Sequence, residues 1–150
     1  MTLTDRAYIQ INQALFSLVH AYESRMSEEA MRNLPVDLNL SDCAVLMVMH
    51  QVAPVNAAGL SRIMDINPGT ISVYVQRLVE MGLVQRKRDT EDRRTWWLTL
   101  SDQGETAAQA VVEQAAVYTR DLLSALDEEE RETLRRLLLK VSHDLGFDWQ

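Results

Sequence analysis

The stretch Asn67-Pro68-Gly69-Thr70-Ile71-Ser72-Val73-Tyr74-Val75-Gln76-Arg77-Leu78-Val79-Glu80-Met81-Gly82 decides the fold. Asparagine before proline is a strong helix start. The Asn67 side chain accepts from the first free N–H groups, and Pro68 lacks a donor that would be unpaired there anyway. Gly82 supplies the left-handed residue on which helices end, so the spacing predicts a helix over 68–81. At about 100° per residue, Ile71, Val75, Leu78 and Val79 gather on one side, which should face a core. The opposite side carries Pro68 and Gly69 at its start, then Thr70, Val73, Gln76, Arg77 and Glu80, with Ser72 at the margin. This outward face is small, polar and mostly uncharged. From the face alone, an ordinary surface helix is an equal reading.

Outward from this helix, Asn56 can cap a short helix over Ala57 to Met64, and Asp65-Ile66-Asn67 reads as a tight turn. Two short helices joined by three residues make a helix-turn-helix candidate. After Gly82 the period changes. Leu83 to Arg88 and Thr95 to Leu100 alternate like strands around the polar run Asp89-Thr90-Glu91-Asp92-Arg93-Arg94, which predicts a β-hairpin with a charged tip. Trp96, Leu98 and Leu100 should share one face, Trp97 and Thr99 the other.

Charge sharpens the picture. The net charge is −7, yet residues 56–101 carry seven Arg/Lys against five Asp/Glu, the only positive third of the chain. Five of these cations, Arg86, Lys87, Arg88, Arg93 and Arg94, lie on the hairpin. A helix that can enter a major groove about 12 Å wide, beside a basic hairpin, suits duplex DNA. Thr70, Ser72 and Gln76 can bond base edges or phosphates. Arg77 can fork onto a guanine or grip a phosphate, and Val73 can touch a thymine methyl. The hairpin cations suit phosphates or a narrow minor groove. Asp92 is placed to pair with Arg94. A solvated, charge-balanced loop is the bland alternative, since Asp89, Glu91 and Asp92 offset part of the charge.

Two segments carry a resemblance. Leu78-Val79-Glu80-Met81-Gly82-Leu83-Val84 and Asp92-Arg93-Arg94-Thr95-Trp96-Trp97-Leu98-Thr99-Leu100-Ser101-Asp102-Gln103-Gly104 resemble the MarR family of winged-helix regulators. The second matches the family's wing signature: Asp-x-Arg, a strand, then Leu-Thr/Ser before a glycine near a helix start. The helix order agrees over nearly the whole chain. The resemblance implies a homodimer whose terminal helices interlock, each winged helix binding half of a palindromic operator. It places Arg94 at the wing tip with Asp92 as its partner, and Thr70, Ser72 and Arg77 on the recognition helix. It also implies a small-molecule effector, an aromatic one being a candidate. Val73 stands where the family often has a polar or basic residue. Trp96-Trp97 is an unusual pair for this strand, with Trp97 expected to cover an arginine stem or a neighbouring helix.

The chain ends complete the expected architecture. Tyr8, Ile11, Leu15, Leu18 and Tyr22 recur at helical spacing over 5–26. Asn33-Leu34-Pro35-Val36-Asp37 looks like a connection, and Ser41 is a plausible cap for an apolar helix to about Gln51. Ser101 can cap a long helix to about Ala125. Asp127-Glu128-Glu129-Glu130 starts a last helix carrying Leu134, Leu137, Leu138 and Val141. The first and last helices cannot all bury their stripes on a small winged-helix core, and pairing two chains about a two-fold axis would cover them. A compact monomer with folded-back ends is the alternative.

The expected fold is mainly α with a small β-hairpin wing: a winged helix-turn-helix flanked by N- and C-terminal dimerisation helices. It forms one domain over 1–150, with 36–101 as the winged helix-turn-helix and 1–35 and 102–150 as the dimerisation helices. The longest apolar run, Cys43 to Met49, is seven residues, far short of the roughly 20 of a membrane span. The first residues do not read as a signal peptide, so a cytoplasmic location is expected. Cys43 lacks a basic neighbour to activate it and reads as a buried thiol. His20, His50 and His143 show no metal-ligand spacing, and Met47, Met49 and Met64 suit core packing. No cofactor motif and no nucleophile–base set is present, so no enzyme activity is expected. The overall acidity keeps a second reading open, a winged-helix interaction module or antirepressor that does not bind DNA.

Overall fold

The computed structural model describes residues 4–26 and 34–146. In chain order these form α1 (Asp5–Met26), α2 (Leu40–Val52), α3 (Ala57–Met64), α4 (Pro68–Glu80), β1 (Val84–Arg88), β2 (Trp96–Leu100), α5 (Asp102–Leu122) and α6 (Glu128–Asp144). The connection expected around residue 33 lies partly outside the described residues, since 27–33 are not among them. Among those described, no helix is long and apolar enough to cross a membrane.

The core lies around α2, whose Cys43, Val45, Leu46, Val48 and Met49 are all buried. Leu60 of α3, then Ile71, Val75 and Leu78 of α4, close over it from one side. Ala107, Ala108 and Val111 of α5 close over it from another. β1 and β2 pair antiparallel, with Val84 opposite Leu100 and Arg88 opposite Trp96. Leu98 carries the hairpin into the core. It is buried and exchanges two backbone hydrogen bonds with Val55, at 2.8 and 3.1 Å.

Two boundaries differ from the sequence reading for local reasons. The cap of α2 is Asn39, not Ser41. Starting two residues earlier puts Asp42 at the third helical position, where its carboxylate takes the Asn39 N–H while Asn39 takes the Asp42 N–H. That reciprocal box satisfies two otherwise unpaired donors, which a Ser41 cap could not. At the end of α4, Gly82 has φ 74°, and the Gly82 and Leu83 N–H groups donate back to Val79 and Leu78. This is a Schellman stop with Leu83 packed into the core. It draws Leu83 into the turn, so β1 begins at Val84.

Most of the apolar stripe of α1 lies open among the described residues, while Tyr22 at its end is half-buried. Tyr8, Ile9, Ile11, Leu15, Leu18 and Val19 are exposed, and Phe16 is 76% exposed. α6 has no buried residue, and Leu137, Leu138, Val141 and Leu145 face outward. Cys43 is buried, and burial, followed by the charge of Asp42, pushes its thiol up to about 11. It stays protonated and unreactive near neutral pH.

Candidate nucleic-acid interface

α3 and α4 are set at their angle by the turn between them. Asp65 takes a left-handed conformation (φ 51°), and the Ser61 hydroxyl donates to the Ile66 carbonyl at 2.6 Å. Asn67 then caps α4 by accepting the Thr70 N–H at 2.9 Å. With Ile71, Val75 and Leu78 buried, the helix presents Pro68, Gly69, Ser72, Val73 and Gln76 to solvent. Val73 is 66% exposed, a large apolar side chain facing solvent among the described residues. Thr70 is half-buried rather than fully outward. The Ser72 hydroxyl donates to the Pro68 carbonyl and keeps its lone pairs free; the Gln76 amide donates to Glu80.

Arg77 is 47% exposed, and part of its guanidinium is engaged within the chain. Its Nε donates to Asp42 Oδ2 at 2.9 Å, and an Nη reaches the Asp37 carbonyl at 3.5 Å. Asp42 is fully buried, and its Oδ1 has no hydrogen-bond partner among the described residues. The Asp42 carboxylate holds the Arg77 guanidinium above its ordinary pKa. A buried carboxylate needs a countercharge, and Arg77 is the one that reaches it. The arginine therefore ties the reading helix to the start of α2 instead of pointing away from it. Arg77→Met should strand the Asp42 charge and lower the melting temperature by about 10 °C. Adding Asp42→Asn should restore most of that loss, because it removes the charge and keeps an acceptor for the Asn39 N–H. Thermal melts of the single and double variants check this.

The hairpin separates its cations into two groups. Arg88 is engaged within the wing: its Nε donates to the Arg93 carbonyl at 2.7 Å, and its guanidinium lies 5.5 Å from the Trp96 ring centre. The arginine stacks on Trp96, its cross-strand partner, whereas Trp97 was the expected ring. Trp97 instead donates its indole N–H to Asp89 at 2.6 Å. Arg86, Lys87, Arg93 and Arg94 are exposed. Among the described residues their charged groups have no ion pair or hydrogen bond to the protein. Asp92 does not pair with the Arg94 guanidinium. Its Oδ1 accepts the Arg94 backbone N–H and its Oδ2 the Thr95 hydroxyl, both at 3.0 Å. Asp92 sits two residues before the N–H it binds, the spacing of an Asx-turn, so the backbone claims it first.

α4 and the hairpin meet along a cleft of about 350 Å³ lined by Ser72 and Val75 on one side and Arg86, Trp96 and Leu98 on the other. The structure thus joins Ser72 to Arg86 and leaves Arg93 and Arg94 at the far end of the wing. A narrow uncharged ridge flanked by unpaired cations can seat in a groove while the cations meet phosphates. Asp89 is the residue that sequence reasoning passed over. A carboxylate in a basic hairpin tip reads as charge balance, and only the fold brings it to Trp97.

The sequence profile of the MarR family matches residues 36–95. Over 104 residues the chain is 29% identical to the HTH-type transcriptional regulator MgrA of Staphylococcus aureus, covering 69% of this chain and 68% of MgrA. The crystal structure of a probable transcriptional regulator from Pseudomonas aeruginosa superposes with a TM-score of 0.72 at 28% identity, covering 88% of this chain and 96% of that one. FabT of Streptococcus pneumoniae, solved in complex with DNA, superposes with a TM-score of 0.77 at 19% identity, over 93% of this chain and 97% of FabT. The last is a likeness of fold.

Proposed function

We propose that this chain is a winged-helix, DNA-binding transcriptional regulator of the MarR family, acting as a repressor that holds a palindromic operator as a homodimer. The observation that carries the reading is the set of four unpaired cations, Arg86, Lys87, Arg93 and Arg94, beside the exposed uncharged face of α4. In it, α4 enters the major groove, where Ser72 and Gln76 meet base edges and Val73 meets a thymine methyl. At the helix start Pro68 has no N–H and Asn67 holds that of Thr70, so the Gly69 N–H and the Thr70 hydroxyl are the groups that meet phosphate. The wing cations neutralise the flanking phosphates.

The uncovered side chains of α1 and α6 support the dimer. A row running from Tyr8 to Val19, with Leu137, Leu138 and Val141, is more apolar surface than a monomer ordinarily leaves in water. A two-fold pairing of these helices sets the spacing of the two reading helices, and with it the symmetry of the operator. Release follows when a small molecule, an aromatic one being a candidate, binds one spacing better than the other.

Selection from random duplexes tests this reading. The expected product is a palindromic consensus bound by two chains per duplex. With about four phosphates neutralised by each chain, the slope of log affinity against log salt is about −7. Absence of enrichment together with a slope near zero would favour the interaction module instead, and one chain per duplex would sink the dimer.

A further inference from the structure

The wing tip is fastened from inside by its acidic residues. Asp89 follows the last residue of β1. Its Oδ1 accepts the Glu91 and Asp92 backbone N–H groups, both at 2.8 Å, and its Oδ2 accepts the Trp97 indole N–H at 2.6 Å. Asp92 repeats the pattern one turn on, taking the Arg94 N–H and the Thr95 hydroxyl. The backbone closes the loop beneath them, the Asp89 N–H donating to the Thr95 carbonyl at 3.0 Å. Asp89 therefore joins two systems that no other side chain of the tip connects, the turn that carries Arg93 and Arg94 and the outer face of β2. Trp97 lines an open hollow of about 450 Å³ together with Lys87, Thr90 and Pro54. Trp97 is half-buried, with that side of its ring open, and the bond to Asp89 is its side-chain hydrogen bond among the described residues. These donors hold the Asp89 carboxyl below its ordinary pKa, the indole N–H first and the Asp92 and Glu91 N–H groups after it. It is a fixed anion directed into the turn rather than toward a duplex.

We infer that Asp89 and Trp97 form a positioning pair that fixes the wing tip on the sheet, so that Arg93 and Arg94 reach phosphate at a set distance from α4. The inference rests on the reading of the wing as the phosphate grip. Without this tie the seven-residue loop 89–95 can shift against the outer face of β2, because its other bonds lie within the tip and to Arg88. Two arginines no longer held at that distance engage fewer phosphates, which weakens binding and flattens its response to salt.

The test uses the full-length protein and mixed-sequence duplex DNA, because phosphate contacts do not depend on sequence. Asp89→Asn keeps an acceptor for the two backbone N–H groups but turns an amide against the indole N–H. Trp97→Phe removes the donor and leaves the turn intact. Each variant is expected to bind about tenfold more weakly at 0.15 M salt, with a log–log slope shallower by about 1 to 2. The double variant is expected to match either single one, and neither change should matter in an Arg93→Ala/Arg94→Ala background. The slope separates positioning from a merely structural role, since loss of folded protein lowers the active fraction and leaves the slope unchanged. Wild-type affinity and slope in both variants, additive losses, or weaker binding at an unchanged slope overturn the inference. If Arg93→Ala/Arg94→Ala itself leaves binding untouched, the wing reading falls and takes the inference with it. If that variant weakens binding and Asp89→Asn does not, the positioning pair alone falls.

Discussion

Replacing Arg93 and Arg94 together by alanine is expected to weaken DNA binding by the proposed dimer about a thousandfold at 0.15 M salt, with subunit association and melting temperature unchanged. The size follows from counterion release. Each phosphate neutralised contributes about 0.9 to the slope of log affinity against log salt, and the proposed dimer would lose four of about eight. The slope should therefore fall from about −7 to about −4. Carried from 1 M, where that contribution vanishes, down to 0.15 M, the difference of about 3.6 in slope amounts to about three decades. Stability is spared because both residues are exposed and their guanidinium groups make no hydrogen bond or ion pair among the described residues. Fluorescence anisotropy across a salt series, with sedimentation of the same samples, checks both halves. An unchanged slope with a lowered affinity would place the arginines on base edges or in the fold rather than on phosphates.

The second large effect is on folding. Gly104→Ala is expected to cost at least about 3 kcal/mol, or a melting temperature lower by about 10 °C, and to reduce the yield of folded protein. A Cβ built on Gly104 stands 1.9 Å from the Leu83 carbonyl oxygen and 2.8 Å from its carbon, backbone atoms that cannot swing aside. That carbonyl already accepts the Ser101 N–H at 2.9 Å, and the Gly104 N–H is held by the Ser101 hydroxyl at 3.0 Å. Moving Leu83 would also disturb the stop of α4, because its N–H closes that helix. Gly69→Ala is the control. There the added carbon meets only the Asn67 side-chain oxygen at 3.3 Å, in a helix that alanine favours. Thermal melts of the two variants should differ by at least about 8 °C. Equal melts would mean that α5 can slide on the hairpin, contrary to the close approach described.

The same glycine explains why so much of the architecture was legible in the sequence. Ser101 and Gly104 are spaced as cap and third helical residue, and the contact they make is local. The same is true of Asn56, Asn67-Pro68 and Gly82, each of which acts within four residues of itself and each of which begins or ends an element where expected. Side-chain roles across long separations were not legible. Arg77 and Asp42 are 35 residues apart, and nothing in the helical spacing of α4 announces a buried carboxylate on another helix. The competition between Asn39 and Ser41 for the cap of α2 turned on Asp42 as well, since only one start lets it close the box. In the wing, alternation assigned Trp96 and Trp97 to their faces but could not say which ring the arginine covers. Cross-strand register decided that, bringing Arg88 opposite Trp96. The acidic residues of the tip were read as charge to be counted, when their oxygens are acceptors for the backbone.

The inward turn of Arg77 has a consequence for how such a protein can change its targets. With that guanidinium committed to Asp42, the outward residues from Gly69 to Gln76 carry no charge, and the unpaired cations lie on a separate element. On the proposed reading, strength of grip and choice of address are inherited independently. Substitutions at Ser72, Val73 or Gln76 would re-rank duplexes without altering the salt response, and substitutions at Arg86 or Lys87 would scale every duplex alike without re-ranking them. A lineage built this way could move from one set of genes to another through exchanges on a single helix face, keeping throughout the hold common to every target.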